Sequence, residues 1–102
     1  MADIAALIDS LTDRAGALAA LGHTVRFDLT DSGQSIHLDA TGPAVTVAES
    51  DAEADAVLKL SSDTLDKLIT GRIGPMMAFS TGRLRLEGSQ GVALKLAGLL
   101  DS

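Results

Sequence analysis

Hydrophobic and polar positions along this chain follow two different periods, and each change of period marks a new element. From Ile4 the apolar residues Ile4, Leu7, Ile8, Leu11, Ala15 and Leu18 recur at the spacing of one helical face, with Asp9, Ser10, Asp13 and Arg14 turned away. Asp3 is placed to cap that helix and Gly22 to end it. The period then drops to two. Val25, Phe27 and Leu29 alternate with Arg26 and Asp28, and Asp31-Ser32-Gly33 turns the chain into Ile36 and Leu38, which alternate with Ser35, His37 and Asp39. Thr41-Gly42-Pro43 leads to a third strand at Val45 and Val47. The acidic run Glu49 to Asp55 reads as a solvated connection, and Ala56 to Leu60 as a fourth strand.

The last third returns to helical spacing. Ser61-Ser62-Asp63 is an N-cap with an acid in the first turn; Leu65, Leu68 and Ile69 follow on one face, and Gly71 supplies the stop. Gly74-Pro75 restarts a short helix with proline in the first turn, where its missing N–H costs nothing. Met76, Met77 and Phe79 give that helix an apolar side. After Gly82, Arg83 to Glu87 alternates charge with leucine as a fifth strand, closed by Gly88. The final helix carries Val92, Ala93, Leu96, Leu99 and Leu100 on one side. Its other sides offer mainly Gly91, Leu94, Ala97 and Gly98, so they too need an apolar neighbour, either other helices or a lipid.

Each strand offers one mostly apolar and one polar or mixed face. The expected fold class is therefore α+β, with two layers: a five-stranded, mixed and mostly antiparallel sheet covered by helices on one face only. Residues 1–102 read as one domain, with no internal repeat and no marked linker to a second.

The ordered residues Ala78-Phe79, Gly82-Arg83-Leu84-Arg85-Leu86, Gly88, Gly91 and Ala93-Leu94-Lys95-Leu96 resemble the C-terminal signature of the sterol carrier protein-2 family. Leu65, Leu68, Ile69, Thr70, Gly71 and Pro75 are similar to that family's preceding helix and linker. The family often has a bulkier residue where this chain has Ser80 and Gln90, and the peroxisomal tripeptide of some members is absent. The resemblance implies a particular strand order: a helix, three antiparallel strands, a crossover to the fourth, helices, the fifth strand and the last helix. It further implies an apolar tunnel between the sheet and helices 61–80 and 89–100. Candidate wall residues are Leu65, Leu68, Ile69, Ile73, Met76, Met77, Phe79, Val92, Leu96, Leu99 and Leu100. For each of these, ordinary core packing is the competing reading; the two methionines suit either role, since an unbranched thioether adapts to its neighbours.

Composition changes the picture mainly by exclusion. Hydrophobic residues make up 46% of the chain and aromatics 2%, so the interior is aliphatic and chemically quiet. Net charge is -6, which argues against nucleic acid, whose phosphates are held by lysine and arginine. The charge is uneven: residues 1–58 hold ten acids against two bases, and residues 59–102 six bases against four acids. In the basic half, Lys67, Arg72, Arg83, Arg85 and Lys95 read as solvated residues or as a mouth that attracts anionic headgroups. The absence of cysteine, of a basic leader and of a long apolar run suits a cytoplasmic protein with at most transient membrane contact.

Candidate chemistry is sparse. Ser35, His37 and Asp39 look like a nucleophile, base and orienter, but alternate residues on one strand stand about 6.5 Å apart, too far to link by hydrogen bonds. His23 and His37 lack partners at metal-ligand spacing, and neither glycine pair, Gly71/Gly74 or Gly88/Gly91, has phosphate-loop form. The expectation is a non-enzymatic protein without cofactor or metal that binds and transfers a fatty acid, fatty acyl derivative, sterol or similar lipid. The alternative is an interaction module whose apolar groove packs on a second copy of the chain or on a partner enzyme.

Overall fold

The period-two segments assemble into one sheet in the computed structural model, which describes residues 3–100. Its strands are β1 (Thr24–Leu29), β2 (Ser35–Asp39), β3 (Thr46–Glu49), β4 (Ala56–Leu60) and β5 (Leu84–Gly88), in spatial order β3-β2-β1-β4-β5. The central β1–β4 pair is parallel and every other pair antiparallel. Register brings side chains of one face into transverse rows. Ile36, Phe27, Leu58 and Leu86 form the middle row, and Leu29, Leu60 and Leu84 the next.

The helices cover that face. They are α1 (Ile4–Asp13), α2 (Ala15–Leu18) with a 3-10 turn at Ala19–Leu21, α3 (Ser62–Ile69), α4 (Pro75–Ser80) and α5 (Gln90–Leu100). Helix α1 lies against β3 and α3, α4 against β5, and α5 against β4, β5 and α2. Between the layers, Leu7, Leu11, Leu18, Val25, Phe27, Ile36, Leu65 and Leu96 are among the buried side chains of a single core. This is the expected two-layer α+β architecture. Among the described residues no helix is long and apolar enough to cross a membrane.

One expectation changes and a second is extended. The first helix is not continuous: Arg14 leaves helical geometry (φ -98°, ψ 11°), and Asp3 stands at the N-cap without a side-chain capping bond. The first piece, with Leu7 and Leu11 buried, packs on β3 and α3, and the second, with Leu18 buried, packs on α5. The acidic connection is exposed at Glu49, Asp51, Glu53 and Asp55, as expected, but it is also docked on the sheet. It crosses the polar face of the sheet as a strap: Arg26 donates to the carbonyls of Asp51 and Ala52, and the His37 ring meets that of Glu53 at 3.1 Å. Asp55 and Thr24 exchange bonds, each backbone N–H donating to the other's side chain.

Beneath the strap, Arg26 forks onto Asp28, and Ser35 also donates to Asp28 at 2.8 Å. Burial works to raise the Asp28 carboxyl, but the bonds from Arg26 and Ser35 outweigh it and leave it below the usual range. At the start of α3, Ser61 caps Thr64, while the Asp31 carboxylate accepts from both the backbone and the hydroxyl of Ser62. The Ser62 hydroxyl holds Asp31 below the usual range. A carboxylate lowered by folding contributes stability above its unfolded pKa, about 3.9, and loses it as pH falls through the folded value. Urea melts should therefore show lower stability at pH about 3 than at neutrality, and Asp31→Asn should flatten that acid limb. An unchanged acid limb in Asp31→Asn would show that the bond to Ser62 does not carry this dependence.

One glycine is demanded by the strap. Gly88 ends β5 at φ +81°, and a Cβ there would lie 2.6 Å from the Asp55 carbonyl oxygen. The same carbonyl accepts the N–H of Ser89, so the turn into α5 is built directly on the strap's end.

Candidate functional site

Helix α5 is apolar on two stripes, and the structure uses them differently. Val92, Leu96 and Leu100, spaced by four, are buried against the sheet and α2. Gln90, Ala93, Leu94 and Ala97 form the neighbouring stripe and face a cleft of about 290 Å³. Its floor is the sheet: Phe27 and Leu58 from the central strands, Leu84 and Leu86 from β5. Leu68 of α3 joins them. Pro75, Met76 and Phe79 of α4 make the opposite wall, and Leu96 and Leu100 close the deep side.

The rim is unusual for a surface. Met76 is 67% exposed, Phe79 55% and Leu94 63%, while α4 sinks only Ala78 into the core. A short helix that buries one alanine and keeps its large side chains outside leaves an apolar edge uncovered beside the cleft, more than a singly scattered exposed residue. Of the fourteen lining residues only Gln90 is polar, and none is titratable.

The sequence-derived wall residues separate into groups. Leu68, Met76, Phe79, Leu96 and Leu100 come together around the cleft. Leu65, Ile69 and Val92 lie in the core, Ile73 and Leu99 pack partly buried against it, and Met77 is exposed on α4 outside the lining. The floor residues Phe27, Leu58, Leu84 and Leu86 were absent from the expectation, although their alternation already placed them on the dry face. Leu94 and Ala97 belong to the side of the last helix that lacked an assigned neighbour.

The residues that resembled a catalytic set are dispersed on the opposite face. Ser35 is bonded to Asp28, His37 to the strap, and Asp39 to Thr41. His23 stands 3.5 Å from Asp55 at the strap's end.

Comparison with known proteins gives a consistent family. The SCP-2 sterol transfer family matches residues 4–101. Hydroxysteroid dehydrogenase-like protein 2 of Bos taurus is 31% identical over 96 residues, which is 91% of this chain but 22% of that protein. The chain thus spans under a quarter of this relative's length. A stereoselective inverting sec-alkylsulfatase from Pseudomonas sp. superposes with a TM-score of 0.79 at 26% identity, covering 99% of this chain and 17% of the sulfatase. Sterol Carrier Protein-2 of Aedes aegypti, solved in complex with the C16 fatty acid palmitate, superposes with a TM-score of 0.76 at 18% identity. That match covers 98% of this chain and 96% of the other, so the whole described fold is shared.

Proposed function

We propose, because the chain belongs to the SCP-2 sterol transfer family, that its cleft binds a fatty acyl chain or a lipid of similar bulk and carries it without chemical change. The observation that carries this reading is the lining itself, which is apolar apart from Gln90 and opens through an exposed apolar rim. Each methylene moved from water into such a cleft contributes about 0.8 kcal/mol, so a chain of several methylenes needs no charged anchor. A volume of about 290 Å³ stands at the small end of ligand pockets, which favours one flexible chain. Palmitate in the Aedes aegypti protein of the same fold supports an acyl ligand. The lack of titratable groups in the lining supports a carrier over an enzyme. A cytoplasmic setting belongs to the same proposal and rests on the cysteine-free composition.

A second reading is favoured by the lengths of the relatives. Where the matched region is 22% or 17% of a longer protein named for an enzyme, a domain of this kind can present its lipid to a catalytic partner. Both readings need the cleft to hold a ligand.

The test is native mass spectrometry of protein purified without lipid stripping, which is expected to show an adduct of lipid mass. Ala97→Trp adds bulk from the cleft stripe rather than the core stripe. It should abolish the adduct while keeping the far-UV spectrum and a melting temperature within a few degrees of the parent. No adduct, together with no uptake of a fluorescent alkyl probe by the parent, would sink the proposal.

A further inference from the structure

Helix α4 differs from the other helices in what it shows to solvent. Among the described residues the exposed large hydrophobics are Met76, Met77, Phe79 and Leu94, and all but Leu94 stand on this short helix. Met76 and Phe79 belong to the cleft wall. Met77, 59% exposed, lies outside the lining, so ligand binding gives no reason for it. Together these side chains project as knobs beside the cleft, a form suited to sinking among lipid chains.

Charge is distributed around this edge in a way that the net value hides. Residues 67–86 contain four bases and no acid, and residues 88–100 add Lys95 and again no acid, in a chain whose net charge is -6. Glu87, between the two stretches, is held by Lys59 at 3.0 Å. Lys67 is held by Asp63 at 3.1 Å, and Arg85 alternates with Leu84 and Leu86 onto the polar face of the sheet. Arg72 and Arg83 remain, and they bracket α4. Arg72 comes shortly before Pro75, and the Arg83 N–H bonds the Ala78 carbonyl at 2.9 Å just past the helix end. Both are exposed, and neither side chain, nor that of Lys95 next to Leu94, forms an ion pair with a described residue.

The acids lie elsewhere. Strands β3 and β5 are the two edges of the sheet; α1, with Asp9 and Asp13 exposed, packs at β3, whereas α4 packs at β5. The strap, with its exposed acids, crosses the polar face, away from the helices. An anionic surface therefore repels this protein in most orientations and attracts it in the one that presents α4. In that orientation the arginine stems lie along the apolar layer while their guanidinium groups reach phosphate oxygens. The open rim of the cleft then faces the lipid.

We infer that the α4 edge, with Met76, Met77 and Phe79 between Arg72 and Arg83, is the surface by which this protein docks on a bilayer containing anionic lipid. The inference rests on the lipid-binding reading for the purpose of the contact, since a carried lipid must enter and leave through that rim. Met77, Arg72 and Arg83 themselves lie outside the lining.

The experiment is cosedimentation of the full chain with vesicles of phosphatidylcholine alone, and of phosphatidylcholine with phosphatidylserine as a quarter of the lipid, at neutral pH. The parent should bind the mixed vesicles, bind the neutral ones far less, and be released by salt. Arg72→Gln combined with Arg83→Gln should weaken binding to mixed vesicles about ten- to thirtyfold, since each cation near an anionic surface is worth about fivefold. Met77→Ser should weaken it about three- to tenfold through lost apolar insertion. Asp9→Asn combined with Asp13→Asn, on the far edge, should change it by no more than about twofold at physiological salt. All three variants should keep the parent's far-UV spectrum and its uptake of a fluorescent alkyl probe in solution. A parent that ignores mixed vesicles, or binds both compositions alike, overturns the inference and leaves the edge to a protein partner. A Met77→Ser variant that binds as tightly as the parent, or a larger effect from α1 than from α4, overturns it too. Vesicle binding through these residues by a parent that takes up no probe would leave the docking surface standing and sink the carrier reading.

Discussion

Gly88→Ala is expected to remove about 2–5 kcal/mol of stability, combining the left-handed backbone penalty with the overlap on the Asp55 carbonyl. For a domain of this size that lowers the melting temperature by on the order of 10 to 30 °C. The matched control is Gly82→Ala, where φ is +76° but a Cβ would meet nothing within 4 Å. The control carries the backbone penalty alone, so the difference between the two variants measures the contact with the strap. Equal melting temperatures would show that the strap yields by moving aside, and that its bonds to Arg26, His37 and Thr24 do not hold it in place.

Phe27→Ala should cost about 3–5 kcal/mol, a large share of a total stability on the order of 5–15 kcal/mol. The ring is fully buried, lies between Ile36 and Leu58 in the middle row of the sheet, and forms part of the cleft floor. Truncation therefore removes core contacts and deepens the cleft in one step. A denaturant melt gives the first effect and probe binding the second, with bulkier guests expected to gain relative to the parent. A stability loss under about 1 kcal/mol would mean that the ring spans an already hollow space, and that the core is carried by the aliphatic residues around it. Phe27→Leu, keeping most of the volume, should show a smaller loss with little change in guest size.

These two sites also show where the sequence was informative. Strand alternation is a strong signal because one buried face fixes every second residue, and Val25, Phe27, Leu29, Ile36, Leu38, Ala56, Leu58 and Leu60 all fall on the buried side. Gly88 reads in the sequence only as a strand ending; that a carbonyl from residue 55 presses against it is a tertiary fact with no local trace. The break at Arg14 was also missed: Gly16, two residues on, is the nearest glycine, and the two pieces on either side pack against different elements, α1 on β3 and α3, α2 on α5. Helix α5 was ambiguous for a different reason. With Lys95 as its only charge between Gln90 and Leu100, helical spacing gives two apolar stripes and no way to rank them. The choice is made by the sheet, which takes Val92 and Leu96 and leaves Leu94 and Ala97 to the cleft. Leu96 and Leu100 belong to both settings, so a blocking substitution at Leu96 would mix loss of binding with loss of core, which Ala97 avoids.

The division of α5 into two stripes has an evolutionary reading. Ala93, Leu94 and Ala97 border the cleft without belonging to the fully buried core, whereas Val92, Leu96 and Leu100 are part of it. Substitutions on the first set fall in the range a marginally stable fold tolerates, while those on the second approach its threshold. Under the proposed carrier role, one helix would let ligand choice drift by single mutations while selection for folding acts on positions one step away, and a lineage would exchange its cargo without passing through an unfolded ancestor.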